Sequence, residues 1–161
     1  ERDRLLLQIA VTLHACGKFI SMKNSNECGY ALIMSTEIIG LSHLEREIIA
    51  NVVRYNIRDF DYDMMQLETE AGQDLAGVSD RTAITILIAK LTAILRLANS
   101  MDKTHKAKLI DSRMAVRDGR LVITTGYQGD LALESASFEQ KAAFFEEIFG
   151  IRPVLKQKRR V

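Results

Sequence analysis

Leu5, Leu6, Ile9, Ala10 and Leu13 recur at three- and four-residue intervals, the spacing that gathers side chains on one face of a helix. A second helix is predicted over Tyr30–Ile39, stopped by Gly40. The third is the best specified. Ser42 stands where a cap is needed, Glu45 completes a capping box, and Leu44, Ile48, Ile49, Val52 and Val53 line one face. From Asp80 to Leu97 apolar residues occupy nearly the whole circumference of a long helix, which places it at the centre of a helical bundle. Lys90 and Arg96 interrupt its most apolar stretch, Thr82–Ala98, which is too short to read as a membrane span.

The period changes after Asp102. Met114, Val116, Leu121, Val122 and Ile123 flank the turn dipeptide Asp118-Gly119 and predict a hairpin. Ser137 with Gln140 is expected to open a last helix, striped by Phe138, Ala142, Phe145 and Phe149 and stopped by Gly150. Beyond the only proline, Pro153, the pair Val154-Leu155 suits a final strand. The expected fold is therefore mainly α: a helical domain over residues 1–105, then a small α+β domain over 106–161.

Composition narrows the function. Of 161 residues 47% are hydrophobic and 27% charged, as in ordinary globular proteins. Twenty-two basic and 21 acidic residues leave a net charge of +1, too little for a whole-molecule field that attracts nucleic acid or an anionic membrane. Any polyanion site must be local. Cys16 and Cys28 lie twelve residues apart without a C-x-x-C pair, which fits a reducing, cytoplasmic compartment. The chain opens Glu1-Arg2-Asp3, without initiator Met or signal peptide, and is expected to be part of a longer protein. Nucleophile-elbow, Walker-type and dinucleotide motifs are missing from the sequence, and its aromatic residues are not interleaved with Arg or Lys as in an RNA-stacking platform.

Only three histidines occur, His14, His43 and His105, which disfavours a multi-histidine metal enzyme. Asp59, Asp61, Asp63 and Glu70 partly match the spacing of a calcium loop, but its sixth position is Met64 where a glycine is required. The plainer reading is a solvated acidic loop, since residues 59–74 hold six acids and no base. Basic residues collect at Lys103, His105, Lys106 and Lys108, and again at Lys156, Lys158, Arg159 and Arg160. These are candidate polyanion contacts, weighed against simple solvated surface.

The segments LHACGKFIS (13–21), GYALI (29–33), IIANVVRYN (48–56), LRLANSMDKTHKAKL (95–109) and FFEEIFG (144–150), in this order, resemble the C-terminal region of the exopolyphosphatase / guanosine pentaphosphate phosphohydrolase family. The resemblance spans essentially the whole chain and implies an HD-type helical domain followed by a small α+β domain. In HD-type domains a His-Asp pair, further histidines and a late aspartate bind metal. Here the pair is His14-Ala15, the histidine-rich loop falls on Ser25, Asn26 and Cys28, the next histidine position is Asn56, and the late aspartate is Asn99. Neutral amides and hydroxyls are poor substitutes for carboxylates on a hard divalent cation, so a degenerate site without metal is expected.

The resemblance further implies that hydrolysis belongs to N-terminal actin-like domains of the parent chain, which need a divalent cation such as Mg. This chain is expected to need no cofactor and to be inactive alone. It would contribute polyphosphate binding, docking against those domains, or a homodimer interface, with neither nucleic acid nor membrane as partner. Two alternatives stand beside this reading: an autonomous metal-dependent HD-type phosphohydrolase built around His14, and a purely structural dimerisation module.

Overall fold

A computed structural model describes residues 1–62, 67 and 78–158. Among them are five α-helices and one three-stranded sheet, a mainly α protein with a small α+β part. The chain divides into two compact units, Glu1–Leu95 and Arg96–Val161, with the division inside the longest helix.

The first unit holds α1 (Arg2–Leu13), a short 3₁₀ turn (Cys16–Phe19), α2 (Ser25–Ser35), α3 (His43–Tyr55) and most of α4 (Val78–Met101). The predicted capping box is formed: Ser42 Oγ accepts the Glu45 N–H at 3.2 Å, and the Glu45 carboxylate accepts the Ser42 N–H at 2.8 Å. The predicted face of α3 forms the core, with Ile48, Ile49, Val52 and Val53 buried among Leu6, Ala10, Ile33, Ile84, Ile88, Leu91 and Leu95. Each large apolar side chain removed from water this way contributes roughly 1.5–3 kcal/mol. The same helix buries polar groups that the pattern did not predict, and Asn51 Nδ2 donates to the Glu47 carbonyl at 3.0 Å.

Helix α2 departs from its predicted span of Tyr30–Ile39. It starts five residues earlier, after Asn24, whose N–H is held by Ser21 Oγ. It stops at Ser35 because Thr36 turns extended and the Ser35 and Thr36 hydroxyls both donate to the Leu32 carbonyl. Helix α4 likewise starts at Val78 rather than Asp80, and it outruns Leu97 to reach Met101. Its segment Arg81–Met101 is long and apolar enough to cross a membrane by length and composition, yet Ile84, Ile88, Leu91 and Leu95 are packed in the core.

The second unit contains the end of α4, strands β1 (Arg113–Arg117) and β2 (Arg120–Thr125), α5 (Ala132–Phe149) and β3 (Arg152–Gln157). Asp118 and Gly119 both take left-handed φ angles, 50° and 69°, and so close the predicted two-residue hairpin. β2 is the central strand, antiparallel to β1 and parallel to β3, and α5 is the crossover between the parallel pair. β3 is longer than Val154-Leu155 and includes Pro153, which an edge strand tolerates.

The Ser137/Gln140 start predicted for α5 is corrected: the helix begins at Ala132, where Asp130 Oδ1 accepts the Ala132 N–H at 2.8 Å. The two residues predicted to cap it therefore lie inside it. Phe138, Ala142 and Phe145 are buried as predicted, and Gly150, at φ 67°, ends the helix through its N–H to the Glu146 carbonyl.

Candidate functional site

His14 caps the C-terminus of α1, with Nδ1 2.6 Å from the Val11 carbonyl, and Ala15 follows it. The chain then tightens against α2. A Cβ at Gly17 would fall 1.9 Å from the Ser25 carbonyl oxygen, and one at Gly29 would fall 3.0 Å from Val53 Cγ1. Gly17 permits the close approach of the 3₁₀ turn to α2, and Gly29 lets α2 pack tightly on the C-terminal half of α3. Ser25, Asn26 and Cys28 lie in the first turns of α2, and Asn56 is buried at the C-cap of α3. Asn99 stands on α4 within the second unit.

The charge at this first cluster lies on Glu27, Arg54 and Arg58. Glu27 accepts Arg54 Nε at 2.9 Å and Arg58 Nη1 at 2.9 Å, and Arg54 also lies 4.9 Å over the Tyr30 ring. Burial pushes the Glu27 carboxyl up, but the two guanidiniums outweigh it and hold the pKa below the ordinary carboxylate value. Burial also raises the Cys16 thiol, and both cysteines are free. Among the described residues no three His, Cys, Asp or Glu side chains converge as a metal site needs. One imidazole placed on a carbonyl, with a carboxylate already held by two arginines, does not fit the divalent cation of an HD-type centre. Of the calcium-loop candidates, Asp59 and Asp61 are described, while Asp63 and Glu70 lie outside the described residues.

In the second unit the basic candidates separate into different environments. Lys103, Lys106, Lys156 and Lys158 are exposed. His105 is exposed at φ 52°, with Asp102 3.9 Å away. Lys108 is turned inward: its Nζ donates to the Asp130 carbonyl at 2.9 Å and to Glu134 Oε2 at 3.1 Å. Glu134 has no exposure and also accepts the Thr104 hydroxyl. That hydrogen bond, with the Lys108 ammonium, keeps its pKa below the ordinary value despite burial. Arg159 and Arg160 lie outside the described residues.

Sequence reasoning missed three further cations, Arg113, Arg117 and Arg120, all exposed on the hairpin. Their signal was the two-residue period of the strands, which puts alternate residues on one face. An apolar groove of about 550 Å³ was also not foreseen. It lies between α1 and α2 and is lined by residues including Ile9, Leu13, Leu32 and Ile38.

Comparison with known families adds an independent finding. The profile of the family described as Ppx/GppA phosphatase, domain III, matches residues 1–141. No individual curated protein matches the chain. The profile runs through all of the first unit and most of the second, including the hairpin and the first half of α5. The ordered segments, the helical unit followed by a small α+β unit, and this match converge: the chain belongs to the Ppx/GppA phosphatase family, as a C-terminal domain of that kind.

Proposed function

We propose that this chain is a non-catalytic C-terminal part of an exopolyphosphatase-like phosphohydrolase, and that it holds phosphate-rich substrate on the cationic surface of its second unit. Cleavage of the phosphoanhydride, and the Mg it requires, belongs in this reading to N-terminal domains of the same parent chain. The observation that carries it is the replacement at the degenerate HD-type positions. The carboxylate beside them in sequence, Glu27 between Asn26 and Cys28, is neutralised by Arg54 and Arg58, and so serves to tie α2 to α3 rather than to bind metal or activate water.

The exposed ammonium groups of Lys103, Lys106, Lys156 and Lys158 support the binding half of the reading. The groove between α1 and α2, with exposed Phe19, Ile20, Met22 and Ile39 in the same unit, supports docking against another domain or a second copy. Two free thiols support a reducing, cytoplasmic setting.

Phosphate release from inorganic polyphosphate tests the catalytic half. The 161-residue chain is expected to release none, with Mg²⁺ or Mn²⁺ present or chelated. Metal-dependent release that disappears in His14→Ala would overturn the reading and favour the autonomous HD-type enzyme.

A further inference from the structure

We propose that the outward face of the three-stranded sheet is a binding surface for a linear, phosphate-rich polyanion that carries no bases, gripped by Arg113, Arg117, Arg120 and Lys156. The inference rests on the reading above and assigns it a site.

Strand register defines the face. Ile123 and Thr125 are buried, so the side of the sheet that carries them is the packed side, and Met114, Val116, Leu121 and Leu155 share it by alternation and pairing. The other side carries three cross-strand rows: Arg113, Thr124 and Lys156; Ala115, Val122 and Val154; and Arg117, Arg120 and Arg152. None of the strand residues is acidic. Arg113, Arg117, Arg120 and Lys156 are exposed, and none has an ion-pair partner among the described residues. Arg152 differs, because it is neutralised by Glu139 and Glu146 on α5.

The arrangement has an intrinsic cost. Arg117 stands directly opposite Arg120, which brings their Cβ atoms to roughly 5 Å, and like charges so placed destabilise a sheet. A polyanion laid across the face relieves that repulsion. The guanidiniums offer the paired N–H donors that match phosphate oxygens, and Arg113 and Arg117, four residues apart, span about 13 Å of strand. This separation calls for an extended chain of phosphates rather than a lone ion. The three strands contain no Phe, Tyr or Trp, so the face lacks the stacking platform that single-stranded nucleic acid uses. The chemistry favours inorganic polyphosphate over RNA.

The test titrates long-chain inorganic polyphosphate, and poly-uridine matched in phosphate concentration, into the wild-type chain, the Arg113→Gln/Arg117→Gln/Arg120→Gln variant and a control, Lys18→Gln/Lys23→Gln, at two exposed lysines of the first unit. The arginine variant is expected to bind polyphosphate about tenfold or more weakly, with a shallower salt dependence, while the control changes little. Arg→Lys replacements at the same three positions should recover part of the loss. Removing the Arg117–Arg120 opposition should leave the melting temperature unchanged or higher. If the triple variant fails to fold, Arg117→Gln alone carries the comparison. Wild-type binding that the arginine variant retains would overturn this site and leave the broader reading standing. A wild-type chain that binds no polyphosphate would overturn both, and equal binding of poly-uridine would overturn the ligand class.

Discussion

The Lys108 ammonium lies 3.1 Å from the Glu134 carboxylate, which has no exposure to solvent and also accepts the Thr104 hydroxyl. This pair fastens the segment after α4 to the first turn of α5. Lys108→Met leaves the buried carboxylate without its cation, and we predict a stability loss of about 2–3 kcal/mol in urea unfolding. The same substitution should alter polyphosphate affinity less than Arg113→Gln does, because Lys108 is committed inside the fold. The Glu134 pKa is held below its ordinary value of 4.5. Its contribution is therefore complete above the unfolded-state value and is lost as pH falls through the folded-state value.

The glycine contact between the 3₁₀ turn and α2 sets a second expectation. A Cβ at Gly17 meets backbone atoms, the Ser25 oxygen at 1.9 Å and the Gly29 nitrogen at 2.5 Å, and relief requires α2 to move. Gly17→Ala should destabilise by about 3 kcal/mol or prevent folding. Gly29→Ala finds its one tight contact in the Val53 side chain, at 3.0 Å, with Cys16 Sγ and the Gly17 nitrogen at an ordinary 3.7 Å, and should cost about 1 kcal/mol. Equal effects of the two substitutions, measured by denaturant unfolding, would contradict this packing.

At the start of α3, Arg2 and the Ser42 N–H bring the Glu45 carboxyl down to about 2. Because the folded-state value is depressed, this stabilisation is present above about pH 4.5 and disappears as pH falls toward about 2. Glu45→Gln should flatten the acid limb of the stability profile, and Ser42→Ala should cost about 1 kcal/mol. Thermal melts across that pH range check both.

What the sequence disclosed followed the range of the interactions involved. The Ser42–Glu45 box and the Asp118-Gly119 turn are complete within a few residues, and both form where the pattern placed them. The starts of α2 and α5 were misplaced because Asn24 and Asp130 define them outside the apolar stripes that were followed. Glu27 escaped notice because its partner Arg54 is 27 positions away and takes meaning only when α2 meets α3. Lys108 looked like surface until its long-range partner Glu134 was placed, 26 residues on. The cations of the sheet were legible in principle. The apolar half of their two-residue period predicts the hairpin, but only strand register brings Arg113, Arg120 and Lys156 to one side. The Asp63–Glu70 half of the calcium-loop reading lies outside the described residues.

The central claim is that this C-terminal Ppx/GppA domain holds a polyanion through exposed charge. Titrating inorganic polyphosphate into the 161-residue chain at low and at high salt tests it most directly. The account predicts saturable binding that weakens steeply as salt rises, because the cations involved are solvent-exposed and screened. Absence of binding at low salt, or an affinity indifferent to salt, would contradict it.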